Sequence, residues 1–85
     1  MGEPETFIIT VRCVEEGVEL DMELPSGIPA GELRGQALNV LKSVYPDRFE
    51  AWAECRLSHG PRVLRDGETL AESGIFDGNY LDVNK

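Results

Sequence analysis

Few residues in this chain have chemical reach. His59 is the single histidine, and Ser58 stands next to it. A catalytic base needs an activated nucleophile and an orienting carboxylate within hydrogen-bond reach. Neighbouring side chains on an extended segment point to opposite faces, so the two are badly disposed as a pair. His59, beside Gly60-Pro61, reads as a turn residue. Cys13 and Cys55 are the two thiols. With one histidine they fall short of the four ligands that zinc normally takes, and a small disulfide scaffold carries more cysteines at closer spacing. They read as small buried apolar residues of a chain in a reducing compartment. The densest charge pattern is Glu19, Asp21 and Glu23, with Glu15 and Glu16 just ahead. At i, i+2, i+4 spacing the three carboxylates share one strand face. That row is a solvated face, a docking surface for a basic partner, or a seat for a hard cation. Calcium loops use more convergent ligands, so no metal and no cofactor is expected. With no nucleophile–base pair, metal cluster or phosphate loop, no enzymatic activity is expected either.

Composition narrows the partners. The chain has 85 residues, enough for one domain, with 16 acidic and 8 basic side chains and a formal net charge of −8. A pI near 4.5 means repulsion from phosphate backbones and anionic headgroups, and no basic run exists, so nucleic-acid binding is not expected. No apolar stretch approaches the roughly 20 residues of a membrane span, and Met-Gly-Glu-Pro-Glu-Thr-Phe7 lacks the basic and apolar regions of a signal peptide. The expectation is a cytoplasmic protein without direct membrane insertion, able to sit at the inner face of the membrane through a protein partner.

The elements that must position these residues follow from periodicity. Residues 1–6 contain Gly2 and Pro4 and read as a flexible N-terminus ahead of a single domain over 7–85. Phe7 to Val14 is rich in β-branched residues, which suit a strand, with Phe7, Ile9, Val11 and Cys13 on one face and Ile8, Thr10 and Arg12 on the other. Glu15-Glu16-Gly17 turns the chain into Val18–Leu24, where Val18, Leu20, Met22 and Leu24 alternate with the three acids. After Pro25-Ser26-Gly27, Pro29 opens a helix that runs to Tyr45, with Leu33, Ala37, Val40 or Leu41, and Val44 as its apolar stripe. Pro46 ends it. Asp47–Ala51 is a connection in which Phe49 tucks under the fold. Trp52–Ser58 alternates again, with Ala53, Cys55 and Leu57 inward and Glu54, Arg56 and Ser58 outward. Trp52 and Phe49 serve core packing or, in the alternative, an exposed aromatic docking point. A short strand Arg62–Leu64 follows, then the turn Asp66-Gly67, a capping-box spacing at Thr69 and Glu72, the turn Asp77-Gly78-Asn79, and a last strand Tyr80–Asn84 with Leu81 and Val83 inward. Half-wet strands need cover on one face only. The fold class is α+β, a mixed sheet of four to five strands packed on one long helix.

The second half carries a resemblance. Leu64-Arg-Asp-Gly-Glu-Thr-Leu-Ala-Glu-Ser-Gly-Ile75 resembles the ubiquitin-family segment in which a short strand precedes Asp-Gly-x-Thr-Leu and an apolar Ile, and Gly78-Asn-Tyr-Leu-Asp-Val83 is similar to that family's closing strand. A narrower resemblance is to the ubiquitin-like branch associated with bacterial type VII secretion, of the YukD/EsaB type, to which the N-terminal cytosolic domain of that system's EccD membrane component belongs. It rests on Glu23-Leu24-Pro25-Ser-Gly-Ile-Pro29-Ala-Gly-Glu-Leu33 and on Leu70-Ala-Glu-Ser-Gly74-Ile75-Phe-Asp-Gly78-Asn-Tyr-Leu81. The resemblance implies a ubiquitin-like β-grasp fold, with the last strand between the first and the third. Cys13 and Cys55 would then lie two strand spacings apart, about 9.6 Å, beyond the roughly 7 Å reach of a disulfide.

The resemblance also implies a function. Ubiquitin and the sulfur carriers of this fold end in a flexible Gly-Gly, whereas this sequence ends Asp82-Val83-Asn84-Lys85. Covalent modification or sulfur carriage is therefore the alternative reading, for a native chain extended to such a tail. Where ubiquitin presents an apolar patch, the matching outward positions here are Ser58, Asp82 and Asn84. The expected function is a non-enzymatic adaptor of a type VII-like secretion system that binds proteins, namely the system's membrane components or its ATPase. Its candidate binding residues are Arg12, Glu19, Asp21, Glu23, Arg56, Ser58, Tyr80 and Asp82. Arg12, Asp82 and Arg56 are expected side by side across the exposed sheet, as an ion-pair ladder or as a polar recognition face flanked by Ile8 and Tyr80.

Overall fold

Alternation in the first 25 residues becomes a hairpin. In the computed structural model residues 5–85 are described, and strand β1, Thr6–Cys13, pairs antiparallel with β2, Val18–Pro25. Phe7, Ile9, Val11 and Cys13 are buried on one side together with Val18, Met22 and Leu24, while Leu20 is half-buried. Gly17, at φ +67°, closes the turn and donates its N–H to the Val14 carbonyl at 3.2 Å. β1 starts at Thr6, one residue earlier than Phe7. Residues 1–4 of the expected loose N-terminus lie outside the described residues, and the Glu5 carbonyl accepts the Ser26 N–H at 2.9 Å.

Among the described residues, five strands form one sheet in the order β2-β1-β5-β3-β4. β5, Tyr80–Asn84, runs parallel to β1 and antiparallel to β3, Arg56–His59, which in turn pairs with the short β4, Arg62–Val63. The last strand thus lies between the first and the third. Helix α1, Ala30–Val44, covers one face of the sheet with Leu33, Ala37 and Leu41 fully buried and Ala30 and Leu38 beside them. It is a helix of modest length, 15 residues. Val40 and Val44, 37% and 49% exposed, do not belong to the buried stripe as expected. Each four-residue step of the row Leu33–Ala37–Leu41 advances about 40° around the helix, so the stripe winds away from them.

Two further stretches differ from the sequence reading. Pro46–Phe49 forms a one-turn helix, α2, that buries Phe49 completely against Trp52, ring centroids 5.2 Å apart. Trp52 is buried too, and its indole N–H donates to the Glu16 carboxylate at 3.3 Å, so both aromatics serve the core. The third strand is shorter than Trp52–Ser58, and Ala53 is exposed where an inward position was expected. The physical reason is the neighbouring strand. The ladder to β5 runs out at the Arg56–Asn84 pair, and among the described residues no strand pairs with residues 52–55.

The first turn of α1 is held from outside. Pro29 offers no side-chain cap, and a helix start leaves backbone N–H groups without partners. The Ala30 N–H donates to the Glu68 carbonyl at 2.7 Å, and the Gly31 N–H to the Asp66 carbonyl at 3.0 Å. Arg34 adds an ion pair to Asp66 at 2.8 Å. The loop is fixed in turn by the Glu68 carboxylate, which accepts from the Arg65 N–H at 2.8 Å, the Ser73 hydroxyl at 3.1 Å and the Arg62 guanidinium. The Arg65 N–H, ahead of Arg62 and Ser73, draws the Glu68 pKa below its ordinary value. The approach at Gly31 is close: a Cβ there would stand 3.3 Å from the Asp66 carbonyl oxygen, which would have to give by a few tenths of an ångström.

Three substitutions test the helix and its clasp. A Cβ at Gly35 would meet nothing within 4 Å, so Gly35→Ala should stabilise the domain by about 0.5–1 kcal/mol through helix propensity alone. Gly31→Ala should fall short of that gain by about 1 kcal/mol, because it loosens the bond that caps the helix. Urea midpoints measure both. A carboxylate with a lowered native pKa stabilises fully above its unfolded value, here 4.5, and loses that contribution as pH falls through the native value. Glu68→Gln should therefore be less stable than the natural chain near neutral pH, with the gap closing on acidification; a pH-independent gap would contradict the clasp.

Candidate binding surface

The face of the sheet away from α1 carries the charged residues. Cross-strand register aligns Glu19, Arg12, Asp82 and Ser58 in one row across β2, β1, β5 and β3. At its centre Arg12 makes a two-pronged contact with Asp82, Nε to Oδ1 at 3.1 Å and Nη2 to Oδ2 at 3.5 Å. That hydrogen bonding raises the Arg12 pKa above its already high ordinary value, so the guanidinium stays charged. Its Cζ also sits 4.0 Å from the centroid of the Tyr80 ring, a cation–π distance. Tyr80 in turn meets the His59 ring at 4.9 Å. Arg12, Tyr80 and Asp82 are thus brought together as one cluster.

Glu19, Asp21 and Glu23 are all exposed along β2. Two threonines on β1 orient two of them: Thr10 Oγ1 donates to Asp21 Oδ1 at 2.7 Å, and Thr6 Oγ1 to Glu23 Oε1 at 3.1 Å. These threonines are not among the residues the sequence singles out; Tyr80 is, but not as the ring beneath the Arg12 guanidinium. The available signal was Thr6 and Thr10 at alternate positions on the strand facing the acids. Ile8 adds an exposed apolar side chain to this face, and Phe76, exposed as well, packs edge-on against Phe7 at 5.7 Å.

The third strand departs from expectation. Ser58, 6% exposed, is buried and not outward in solvent. It stands opposite Asp82, and its hydroxyl accepts from Asn84 Nδ2 at 3.1 Å. Arg56 is exposed but pairs in register with Asn84. The three-residue ladder Arg12–Asp82–Arg56 is therefore one ion pair, Arg12–Asp82, with Arg56 one step along the strand. The register decides this: β3 and β5 are antiparallel, so Ser58 takes the place across from Asp82.

His59 and the thiols have their own engagements. The His59 Nδ1 lies 2.9 Å from the Tyr80 carbonyl oxygen, away from the bond that Ser58 makes. Cys13 and Cys55 are buried and free. Burial pushes the Cys55 thiol up to about 11 and raises that of Cys13, so both remain protonated near neutral pH and are poor nucleophiles. On the helix side a pocket of about 120 Å³ opens between Arg34, Gly35 and Leu38 and the segment Ala53–Cys55. Among the described residues no group of three or more His, Cys, Asp or Glu side chains is placed to hold a metal ion, and no helix is long and apolar enough to cross a membrane.

The central cluster makes a spectroscopic prediction. Held by Asp82, the Arg12 Nε–H should exchange more slowly than that of an exposed arginine. Asp82→Asn should return it to fast exchange, as read in ¹⁵N-edited spectra; a slow Nε–H in that variant would mean that the pair does not hold the guanidinium.

Neither a protein-family profile nor the sequence of a curated protein matches this chain. Solved structures do match it in shape. The EccD5 ubiquitin-like domain from Mycobacterium xenopi superposes with a TM-score of 0.79 at 18% identity, over 95% of this chain and 94% of that one. The ubiquitin-like domain of the Mycobacterium tuberculosis type VII secretion system protein EccD1 gives 0.76 at 21% identity, over 95% and 99%. A chain of the MycP5-free ESX-5 inner membrane complex, in State II, gives 0.77 at 24% identity, with 95% of this chain aligned to 21% of that one. Identities this low speak for architecture. This chain folds as a ubiquitin-like β-grasp domain, in the shape shared by the ubiquitin-like domains of EccD proteins.

Proposed function

We propose that the domain is a non-enzymatic adaptor of a type VII-like secretion system, cytoplasmic and acting by protein–protein binding. The observation that carries this reading is the end-to-end structural match to EccD ubiquitin-like domains, which spans 94% and 99% of those domains. Support for a membrane-associated partner comes from the third likeness, where the same shape is one part of a longer chain in an inner membrane complex. Partners are then membrane components of the machine or its ATPase, reached from the cytoplasmic side.

The binding face in this reading is the outer face of the sheet. Glu19, Asp21 and Glu23 supply the field that steers a basic patch, Arg12, Asp82 and Tyr80 supply a rigid polar centre, and Arg56 marks its far side. Ser58 contributes by fixing Asn84 and not by direct contact. Conjugation as a modifier or sulfur carrier is the competing outcome.

Crosslinking and affinity capture of the chromosomally tagged protein in its host test the proposal. Discrete non-covalent partners that include secretion membrane proteins are expected, and their capture should fall as salt rises from low to physiological strength. Arg56→Glu should weaken it further. A ladder of products that survives full denaturation without crosslinker would mean covalent attachment, and the adaptor reading would fall.

A further inference from the structure

The two edges of the sheet are unequal. β4 ends one side after two residues, Arg62 and Val63, and Arg62 is drawn to Glu68. β2 ends the other side with eight, Val18–Pro25. Long open edges template pairing with another chain unless they are covered or blunted, so the direction in which the backbone groups of β2 point matters.

Hydrogen bonds around β1 settle that direction. The Thr10 N–H donates to the Asn79 carbonyl, and the Ile8 carbonyl accepts from the Gly78 N–H, so Ile8, Thr10 and Arg12 turn their backbone groups toward β5. In an antiparallel pair, residues alternate between facing the partner strand and facing away. Phe7, Ile9, Val11 and Cys13 therefore face β2 and meet Leu24, Met22, Leu20 and Val18 in register. The Ser26 N–H bond to the Glu5 carbonyl keeps the same parity. What remains for the open edge is the backbone of Glu19, Asp21 and Glu23. Among the described residues nothing pairs with their N–H and C=O groups from outside the sheet. Pro25 has the same parity, so the position without an N–H also falls on the open side, where proline is tolerated.

The three residues that present carboxylates on the outer face are thus the three that present free backbone donors and acceptors at the edge. We propose that this edge takes an added strand: an extended segment of a partner protein with Lys or Arg at alternate positions. Bonded to the backbone of Glu19, Asp21 and Glu23, such a segment places every second side chain on the carboxylate face, where basic residues meet acids directly across the pair. Its intervening side chains fall on the α1 side, next to Leu20, which is half-buried while Val18, Met22 and Leu24 are buried. Those positions should be apolar. The recognition mode is strand addition, with main-chain bonds for affinity and alternate side chains for specificity. This inference rests on the adaptor reading and specifies the partner segment that reading requires.

The probe is the capped peptide Lys-Val-Lys-Val-Lys-Val-Lys, compared with the same composition reordered as Lys-Lys-Val-Val-Lys-Lys-Val. The alternating peptide should slow amide exchange at Glu19, Asp21 and Glu23 by about tenfold or more, and the reordered one should bind several-fold more weakly. Asp21→Pro removes one edge N–H without touching a backbone bond to β1 and should lose most of the binding, while Asp21→Asn, which loses the same carboxylate that Thr10 holds, should lose only that carboxylate's share of the salt-sensitive part. Binding of both peptides with equal affinity, or without protection of those amides, would overturn the strand addition, as would absence of binding at millimolar peptide. Because exchange is read on the natural chain, a poorly folded Asp21→Pro would not shelter the proposal. Capture of secretion components from the host without edge protection would sink this inference and leave the adaptor reading standing; edge protection without such capture would do the reverse.

Discussion

The fold turns on how the first turn of α1 is held. A helix that starts at Pro29 with no capping side chain would leave its first N–H groups exposed to solvent, and here two carbonyls from residues 66 and 68 accept them. That links the helix to a loop 35 residues further on, and the Glu68 carboxylate makes the loop rigid by binding Arg62, Arg65 and Ser73 together. With the helix anchored at that end, Leu33, Ala37 and Leu41 are committed to one face of the sheet, against Ile9, Val11, Leu81 and Val83. The opposite face is left without cover. The polarity of that outer face, and its freedom to meet another protein, are consequences of a domain with one helix long enough to cover a sheet.

Much of this was legible in the sequence because period-2 alternation and turn residues are local signals. Val18–Leu24 alternates without exception, and its burial follows. Thr69 and Glu72 show the reciprocal capping bonds that their spacing implies, the Thr69 N–H to Glu72 Oε1 at 3.1 Å and the Glu72 N–H to Thr69 Oγ1 at 3.2 Å, although they close a turn and not a helix. What was not legible depends on which strand ends where. Trp52–Cys55 alternates as a strand would, yet β5 offers no partner at that height. Ser58 alternates outward and is still covered, because Asn84 reaches it across the register. The carbonyl clasp on α1 has no sequence signal, since carbonyls belong to every residue; only Gly31 hints at it, as the position where a side chain would intrude.

The site was read in part for the same reason. Acids at alternate positions are visible in any alignment of letters, and so is the likeness of Arg12 and Asp82 to a cross-strand pair. The Tyr80 ring under Arg12, and the threonine hydroxyls that aim Asp21 and Glu23, require a register. Together they make the outer face an ordered array, a fixed guanidinium–carboxylate centre beside a row of oriented carboxylates. Exposed pairs of this kind add little to folding.

The measurement that bears most directly on this account is a chemical-shift map. The ¹⁵N-labelled domain would be titrated with the soluble part of whichever secretion component the proposed capture experiment returns. Perturbations are expected on the outer face and open edge of the sheet, at Glu19, Asp21, Glu23, Arg12 and Tyr80, with the helix side quiet. Shifts centred instead on Gly35, Leu38 and Cys55, around the pocket on the helix side, would contradict the account and move the binding surface to the other face of the molecule.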